Sequence, residues 1–297
     1  MRFVTFSRRG RAVAGVVSES GDEVIDLSIA APRFADLNAI IEGGEAAIEQ
    51  VRAALRTKKK GARLARSKIS LIAPIPVPRR NIFCVGKNYH EHAKEFHSSG
   101  FDASAGKSAI PDHPIIFSKS FTTVTGPGVA IPASADWTKS VDYEAELAVV
   151  IGKGGRRISK RAAYGHVFGY TIVNDVTSRT LQQQHKQWFL GKNFDGFCPM
   201  GPALVTADEV GPVGKLRVRT EVNGELRQDA AVRDLIFDIP TLIKTLSDVI
   251  TLMPGDIIAT GTPAGVGIGF DPPRFLKRGD VVTVTIDRLG KLENPVA

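Results

Sequence analysis

Sulfur is scarce in this sequence, with two cysteines, Cys84 and Cys198, and three methionines among 297 residues. Two thiols that far apart give neither a disulfide framework nor the paired spacing of a structural zinc site. Long apolar runs are missing too. Nothing approaches the roughly 20 consecutive apolar residues of a membrane helix, so no membrane partner is expected. The opening residues MRFVTFSRRGRA lack the apolar centre of a secretory signal, and the expectation is a reduced, cytoplasmic protein. No G-x-G-x-x-G follows an apolar strand and no Walker-type loop occurs, which removes the usual reason to expect a nucleotide cofactor.

What is present is ordinary in bulk: 43% hydrophobic and 24% charged residues, enough apolar material for a sizeable core. The charge is uneven. Eight basic residues (Arg52, Arg56, Lys58, Lys59, Lys60, Arg63, Arg66 and Lys68) fall between positions 51 and 70 without one acid. Setting them aside leaves 31 basic residues against 31 acidic, so the net charge of +8 is carried by one segment. One basic run without a recognition motif reads as a solvated surface, and no nucleic-acid partner is expected. A basic nucleic-acid-binding protein is the rival of another class, and it would bind with steep salt dependence.

Alternating Pro74, Pro76 and Pro78 forbid a helix and stiffen the chain, which places a domain boundary there. The expected division is a small N-terminal α/β domain, 1–78, and a catalytic domain, 79–297. Before the boundary, short strands are expected at 2–6, 12–17 and 23–27, with helical character at 37–41 and 46–55. Beyond it, strands are expected at 82–85, 143–151, 167–173, 216–222, 225–230, 256–259 and 281–286. Asn223-Gly224 is a strong hairpin signal. An amphipathic helix at 239–250 puts Ile239, Leu242, Ile243, Leu246, Val249 and Ile250 on one face. Without regular βαβ alternation, the fold class is α+β with a large, mostly antiparallel sheet system.

In DYEAELAVVIG, Glu144 and Glu146 are two apart, so on a strand they project from the same face. The run is apolar on both faces and reads as buried, where two carboxylates cost several kcal/mol each unless compensated. Asp175 ends another apolar strand, GYTIVND. Three hard oxygen ligands with neither Cys nor paired His point to Mg²⁺ or Mn²⁺, less often Ca²⁺, and away from zinc. Spacing alone is equally compatible with an exposed strand end whose acids face Lys139 or Lys153.

In CVGKNYHEHAKEFH, Asn88 is placed to cap a helix with Glu91 as its third residue, a capping-box pattern. His92 and Glu95, three apart, are then neighbours. A carboxylate beside an imidazole fixes its tautomer, which suits a general base acting on water. A plain solvated helix fits the same residues. Lys192, between an aromatic stretch and a glycine-rich turn, is placed to bind a substrate oxyanion or to cap its helix. The glycines of ATGTPAGVG, 259–267, allow backbone amides to approach an anion closely, with Thr260 and Thr262 offering hydroxyls.

Taken in order, GKNYHEHAKE, FSKSFTTVTGPG, VDYEAELAVVIG, GYTIVNDVTSRTLQ, GKNFDGFCPMGP and DIIATGTPAGVG resemble the fumarylacetoacetate hydrolase family from about residue 81 to the C-terminus. The likeness is strongest to bacterial acylpyruvate hydrolases and oxaloacetate decarboxylases of that family. The resemblance implies a mixed β-roll or sandwich catalytic domain, usually in a homodimer. It implies Glu144, Glu146 and Asp175 as Mg²⁺ or Mn²⁺ ligands and His92 with Glu95 as a catalytic dyad on a short lid. Lys192 is implied as a catalytic contact, with Thr262, Arg179 and Gln182 binding substrate. The animal enzyme has a further aspartate ligand where this chain has Gly86-Lys87-Asn88, so water is expected at that position. The stretch 98–110 reads as a mobile lid extension.

The implied activity is divalent-metal-dependent cleavage of a carbon–carbon bond in a small 2-oxo acid through a pyruvate enolate. For an acylpyruvate, His92 activates a water to attack the distal carbonyl and the enolate departs. Oxaloacetate reaches the same enolate by losing CO₂. Alternatives on the same site are an isomerase or decarboxylase of the 2-hydroxyhepta-2,4-diene-1,7-dioate type and a sugar-acid dehydratase.

Overall fold

The structure, a computed structural model, describes residues 1–34, 36–102 and 108–297. Its centre is a twelve-stranded sheet. The main path runs Arg63–Ala65, Glu23–Asp26, Arg11–Val17, Arg2–Arg8, Cys198–Thr206, Val167–Asn174, Ala145–Ile151, Ile257–Ala259, Ile82–Gly86 and Ile115–Lys119. Neighbours along this path are antiparallel except Ile257–Ala259 on Ile82–Gly86, which is parallel. Because Arg2–Arg8 pairs with Cys198–Thr206, the first 78 residues supply strands to the same sheet as the rest. A second sheet orders Glu225–Ala231, Arg217–Val222, Val281–Ile286 and Gly290–Pro295.

Local chemistry explains most elements. Ala145–Ile151 is buried at every position, as a strand covered on both faces must be. Val281–Ile286 alternates buried with more open positions, as expected of a sheet with one covered face. The hairpin turns on Asn223 (φ 54°) and Gly224 (φ 79°), the two left-handed residues of a type I′ turn. In helix Ile239–Val249, Asp238 accepts from Thr241 N at 2.9 Å, and Ile239, Leu242, Ile243 and Leu246 are buried. Val249, expected on that apolar face, is 72% exposed, because the helix ends there and the chain turns extended at Ile250. The two helical stretches expected at 37–41 and 46–55 join as Leu37–Ala54 across a kink at Gly44.

One core layer mixes distant parts of the chain. Phe3, Val16, Ile25, Ile40 and Val51 pack with Ile82, Ala148, Val150, Val173 and Leu204. Among the described residues, no helix is long and apolar enough to cross a membrane.

Candidate active site

The site begins with the register of two strands. Ala145 faces Asn174 across the ladder, Glu144 precedes one strand and Asp175 follows the other. Two hydrogen bonds fix the joint: Asp175 N donates to Glu144 O at 2.8 Å, and Glu144 N donates to Asn174 Oδ1 at 3.0 Å. Glu146 lies one residue further along the same strand. Ligand-capable oxygens of Glu144, Glu146 and Asp175 all lie within 4.8 Å of one another, and all three residues are buried.

Three buried cations surround them. Lys192, from the turn Phe189–Lys192, places Nζ 2.7 Å from Glu144 Oε2 and 2.8 Å from Asp175 Oδ2. Arg179 Nη1 lies 2.6 Å from Glu144 Oε1, while its Nε donates to Asp142 Oδ2 at 2.9 Å. Lys119 Nζ stands 2.8 Å from Asp175 Oδ1 and donates to Val176 O and Lys192 O. The cations are unequally shared. Burial raises the Glu144 carboxyl, but Lys192 and Arg179 outweigh it and hold the group at about 2. Glu146 is pushed well up, by burial first and then by Asp175 and Glu144. Burial opposes the charge of Lys192, yet Asp175 and Glu144 raise its affinity for the proton.

These residues fit a divalent cation. Four buried acids (Asp142, Glu144, Glu146 and Asp175) face three buried bases (Lys119, Arg179 and Lys192). Among the described residues, Glu146 receives one hydrogen bond, from Gly261 N at 2.8 Å. Asp175 Oδ1 is buried and, although close to Lys119, accepts no hydrogen bond of proper geometry from the described residues. An all-oxygen donor set with surplus negative charge is the chemistry of Mg²⁺ or Mn²⁺ binding.

His92 and Glu95 share helix His90–Ser98, with His92 Nδ1 3.1 Å from Glu95 Oε2. The other Glu95 oxygen accepts from Gly265 N at 2.8 Å. An ionised carboxylate only accepts, so Nδ1 carries the proton and Nε2 presents its lone pair. Asn88 does not cap this helix. Tyr89 occupies the cap position, and the Asn88 side chain instead donates to Phe237 O and Thr260 O and accepts from Phe237 N. The amide satisfies buried carbonyls from two other segments, a stronger demand than an exposed helix end makes.

The glycine-rich loop does bring amides to anions, and the anions are the protein's own. Gly261 N binds Glu146, Gly265 N binds Glu95, and Gly267 N binds Asp142 at 2.6 Å. A Cβ on Gly269 would lie 1.9 Å from Glu95 Oε1, so the close approach there needs glycine.

Seven of the nine residues singled out from sequence line one cleft: His92, Glu144, Glu146, Arg179, Gln182, Lys192 and Thr262. Glu95 and Asp175 stand behind it and hold His92 and Lys192. Phe96, Phe117 and Trp188 form an apolar wall. Gln182 accepts from Arg179 Nη1 at 3.2 Å, and Thr262 accepts from Gln228 Nε2 at 2.8 Å. Lys87 lines the cleft and pairs with Asp102 at 2.5 Å. Of the expected lid extension, 103–107 lie outside the described residues. Sequence reasoning did not single out Lys119, Asp142 and Gln228. Asp142 and Lys119 lie within the quoted motifs, but Gln228, on the distant hairpin, carries no local signal.

Known proteins resemble this chain along its whole length. Residues 81–297 match the family described as fumarylacetoacetate (FAA) hydrolase, C-terminal. Oxaloacetate tautomerase YisK of Bacillus subtilis (strain 168) is 45% identical over the full length of both chains. The solved fumarylacetoacetate hydrolase of psychrophilic Exiguobacterium antarcticum is 40% identical, with a TM-score of 0.83 over 100% of this chain and 99% of that one. A maleylpyruvate hydrolase from Sphingobium sp. SYK-6, solved with manganese(II) and pyruvate, is 32% identical, with a TM-score of 0.76 and the same coverage. With the motifs in order, the fold shared along the whole chain and the acidic triad buried together, this chain is a member of the fumarylacetoacetate hydrolase family of enzymes.

Proposed function

We propose that the protein catalyses divalent-metal-dependent enolisation of a small 2-oxo acid of the oxaloacetate type, interconverting its keto and enol forms. The observation that carries this reading is that His92, Glu144, Glu146 and Lys192 line one cleft, with Asp175 and Glu95 directly behind them completing the acidic triad and the His92 pair. The full-length similarity to an oxaloacetate tautomerase supports the choice of substrate class. Glu144, Glu146 and Asp175 would hold Mg²⁺ or Mn²⁺, which supplies Lewis-acid charge to the oxygens of a 2-oxo acid.

The chain's own residues do the rest. His92 Nε2, with Nδ1 held by Glu95, moves a proton to or from the carbon next to the keto group. Lys192 spends two contacts on Glu144 and Asp175, and its ammonium has a third N–H to donate to the oxygen that gains charge. Arg179 Nη2 is buried in the cleft wall without a partner among the described residues, a donor available to a substrate carboxylate. Phe96, Phe117 and Trp188 limit water, which strengthens each of these interactions.

Carbon–carbon cleavage, by acylpyruvate hydrolysis or oxaloacetate decarboxylation, is the second reading. It would use the same triad but proceed from the keto form and end in the enolate of pyruvate, and the His92–Glu95 pair favours the hydrolytic branch because that pair suits activation of water. The test follows the ultraviolet absorbance of enol-oxaloacetate together with pyruvate release. Loss of absorbance without pyruvate supports tautomerisation; pyruvate appearing in step with the loss supports cleavage.

A further inference from the structure

Gln228 lies in strand Glu225–Ala231 of the second sheet, remote in sequence from every candidate residue, and its side chain is fully buried. The amide makes four hydrogen bonds. Oε1 accepts from Ala145 N at 3.2 Å and from Thr220 Oγ1 at 2.7 Å. Nε2 donates to Pro263 O at 2.7 Å and to Thr262 Oγ1 at 2.8 Å.

The orientation of this amide is forced. Ala145 N–H can only donate, so the atom facing it is the amide oxygen. Pro263 O can only accept, so the atom facing it is the amide nitrogen. The Thr262 hydroxyl therefore receives a hydrogen bond from Gln228, and its own proton has no acceptor among the described residues. Thr262 lines the cleft beside Glu144, Glu146 and Lys192.

We infer that Gln228 is a positioning residue that fixes Thr262 as a hydrogen-bond donor aimed at an acceptor-only oxygen of the substrate, a carboxylate or enolate oxygen. An anionic group gains from this arrangement, whereas a substrate hydroxyl competing as a donor would not. The same amide holds Ala145, the residue between Glu144 and Glu146, so one side chain sets the Thr262 hydroxyl against the acidic strand. The inference deepens the proposed 2-oxo acid reading and rests on it for the identity of the anion.

The test compares Gln228→Met, Thr262→Val, Thr262→Ser and the Gln228→Met/Thr262→Val double variant, all loaded with Mn²⁺. The readouts are KM and kcat for oxaloacetate and calorimetric affinity for oxalate, a non-reacting planar dianion. Each of Gln228→Met and Thr262→Val is expected to weaken oxalate binding and raise KM about tenfold, the loss of one hydrogen bond to a charged group, with a smaller change in kcat. The double variant should be no worse than Thr262→Val alone, and Thr262→Ser should bind as the parent does. Multiplicative losses in the double variant, or unchanged oxalate affinity in Thr262→Val, would overturn the inference. Thr262→Val leaves the other three contacts of Gln228 in place, so unchanged oxalate affinity in that variant overturns the inference even if Gln228→Met folds poorly. Should the parent bind oxalate but fail to turn over oxaloacetate, the enolisation reading falls while the oxalate series still judges Gln228.

Discussion

Glu144 and Glu146, two residues apart on one buried strand end, sit in opposite electrostatic settings. Glu144 has both Lys192 and Arg179 against its oxygens and is held at about 2, whereas Glu146 has one backbone N–H and is pushed up. The asymmetry leaves Glu146 as the group with most to gain from a bound cation.

A pH dependence follows. Because the Glu144 carboxyl is depressed, its stabilising contribution is present above the unfolded value of about 4.3 and is lost as pH falls towards about 2. Glu146 acts in the opposite sense. Its raised carboxyl keeps a proton that the unfolded chain has released, so its contribution fades as pH rises above about 4.3. A cation must displace that proton, so its binding strengthens with pH. The rise in Tm produced by Mn²⁺ is expected to be larger at about pH 8 than at about pH 5.5. Thermal melts of stripped and loaded protein at the two pH values measure it, and an equal or reversed effect would count against Glu146 as a ligand.

Lys192→Met separates stability from catalysis. In metal-free protein it strips a buried cation from Glu144 and Asp175, and the loss of stability is expected to be about 3–5 kcal/mol. Mn²⁺ should restore much of that stability. It should not restore turnover, because the donor to the developing oxyanion is gone; kcat is expected to fall about 10²–10³-fold. Denaturant melts and steady-state rates with and without Mn²⁺ give both numbers.

His92→Ala is expected to slow proton transfer about 10²–10⁴-fold while leaving Mn²⁺ affinity unchanged, since His92 is not among the acidic triad. Glu95→Gln should cost less than His92→Ala, because the neighbouring imidazole remains and only its orientation weakens. Rates on oxaloacetate, set beside calorimetric Mn²⁺ titrations, check both.

Gly261→Ala tests the loop that braces Glu146. Gly261 has φ +105°, and a Cβ there would lie 2.7 Å from Asn88 Cβ and 3.1 Å from Val85 O. Strain of about 1–3 kcal/mol is expected, together with weaker Mn²⁺ binding as the N–H moves off Glu146. Melts and titrations of this one variant should show both effects.

The residues differ in how much they disclosed beforehand. That Glu144 and Glu146 share one face of a buried strand was legible because alternation and burial on a strand are local properties, whereas their grouping with Asp175 as a ligand set came from the ordered motifs that fixed the family. The hairpin at Asn223-Gly224 was legible for the same local reason. The strand Cys198–Thr206 was not among the expected strands: proline and glycine weaken a strand signal, and Pro199, Gly201 and Pro202 all fall in it, yet it runs between Arg2–Arg8 and Val167–Asn174 at the middle of the large sheet. Asn88 was misread because helix capping is judged from neighbours in sequence, while its partners are Thr260 and Phe237. Gln228 was invisible because its role depends on a second sheet meeting the loop at Thr262. Side-chain contacts that span from 34 residues, as in Gln228–Thr262, to 172, as in Asn88–Thr260, leave no periodic trace.

The most direct test of the central claim is turnover of enol-oxaloacetate by metal-stripped protein, with and without added Mg²⁺ or Mn²⁺. The account predicts that decay of the enol absorbance above the uncatalysed rate appears only with the metal and disappears in Glu146→Ala. Equal catalysis by stripped protein, or by Glu146→Ala, would contradict it.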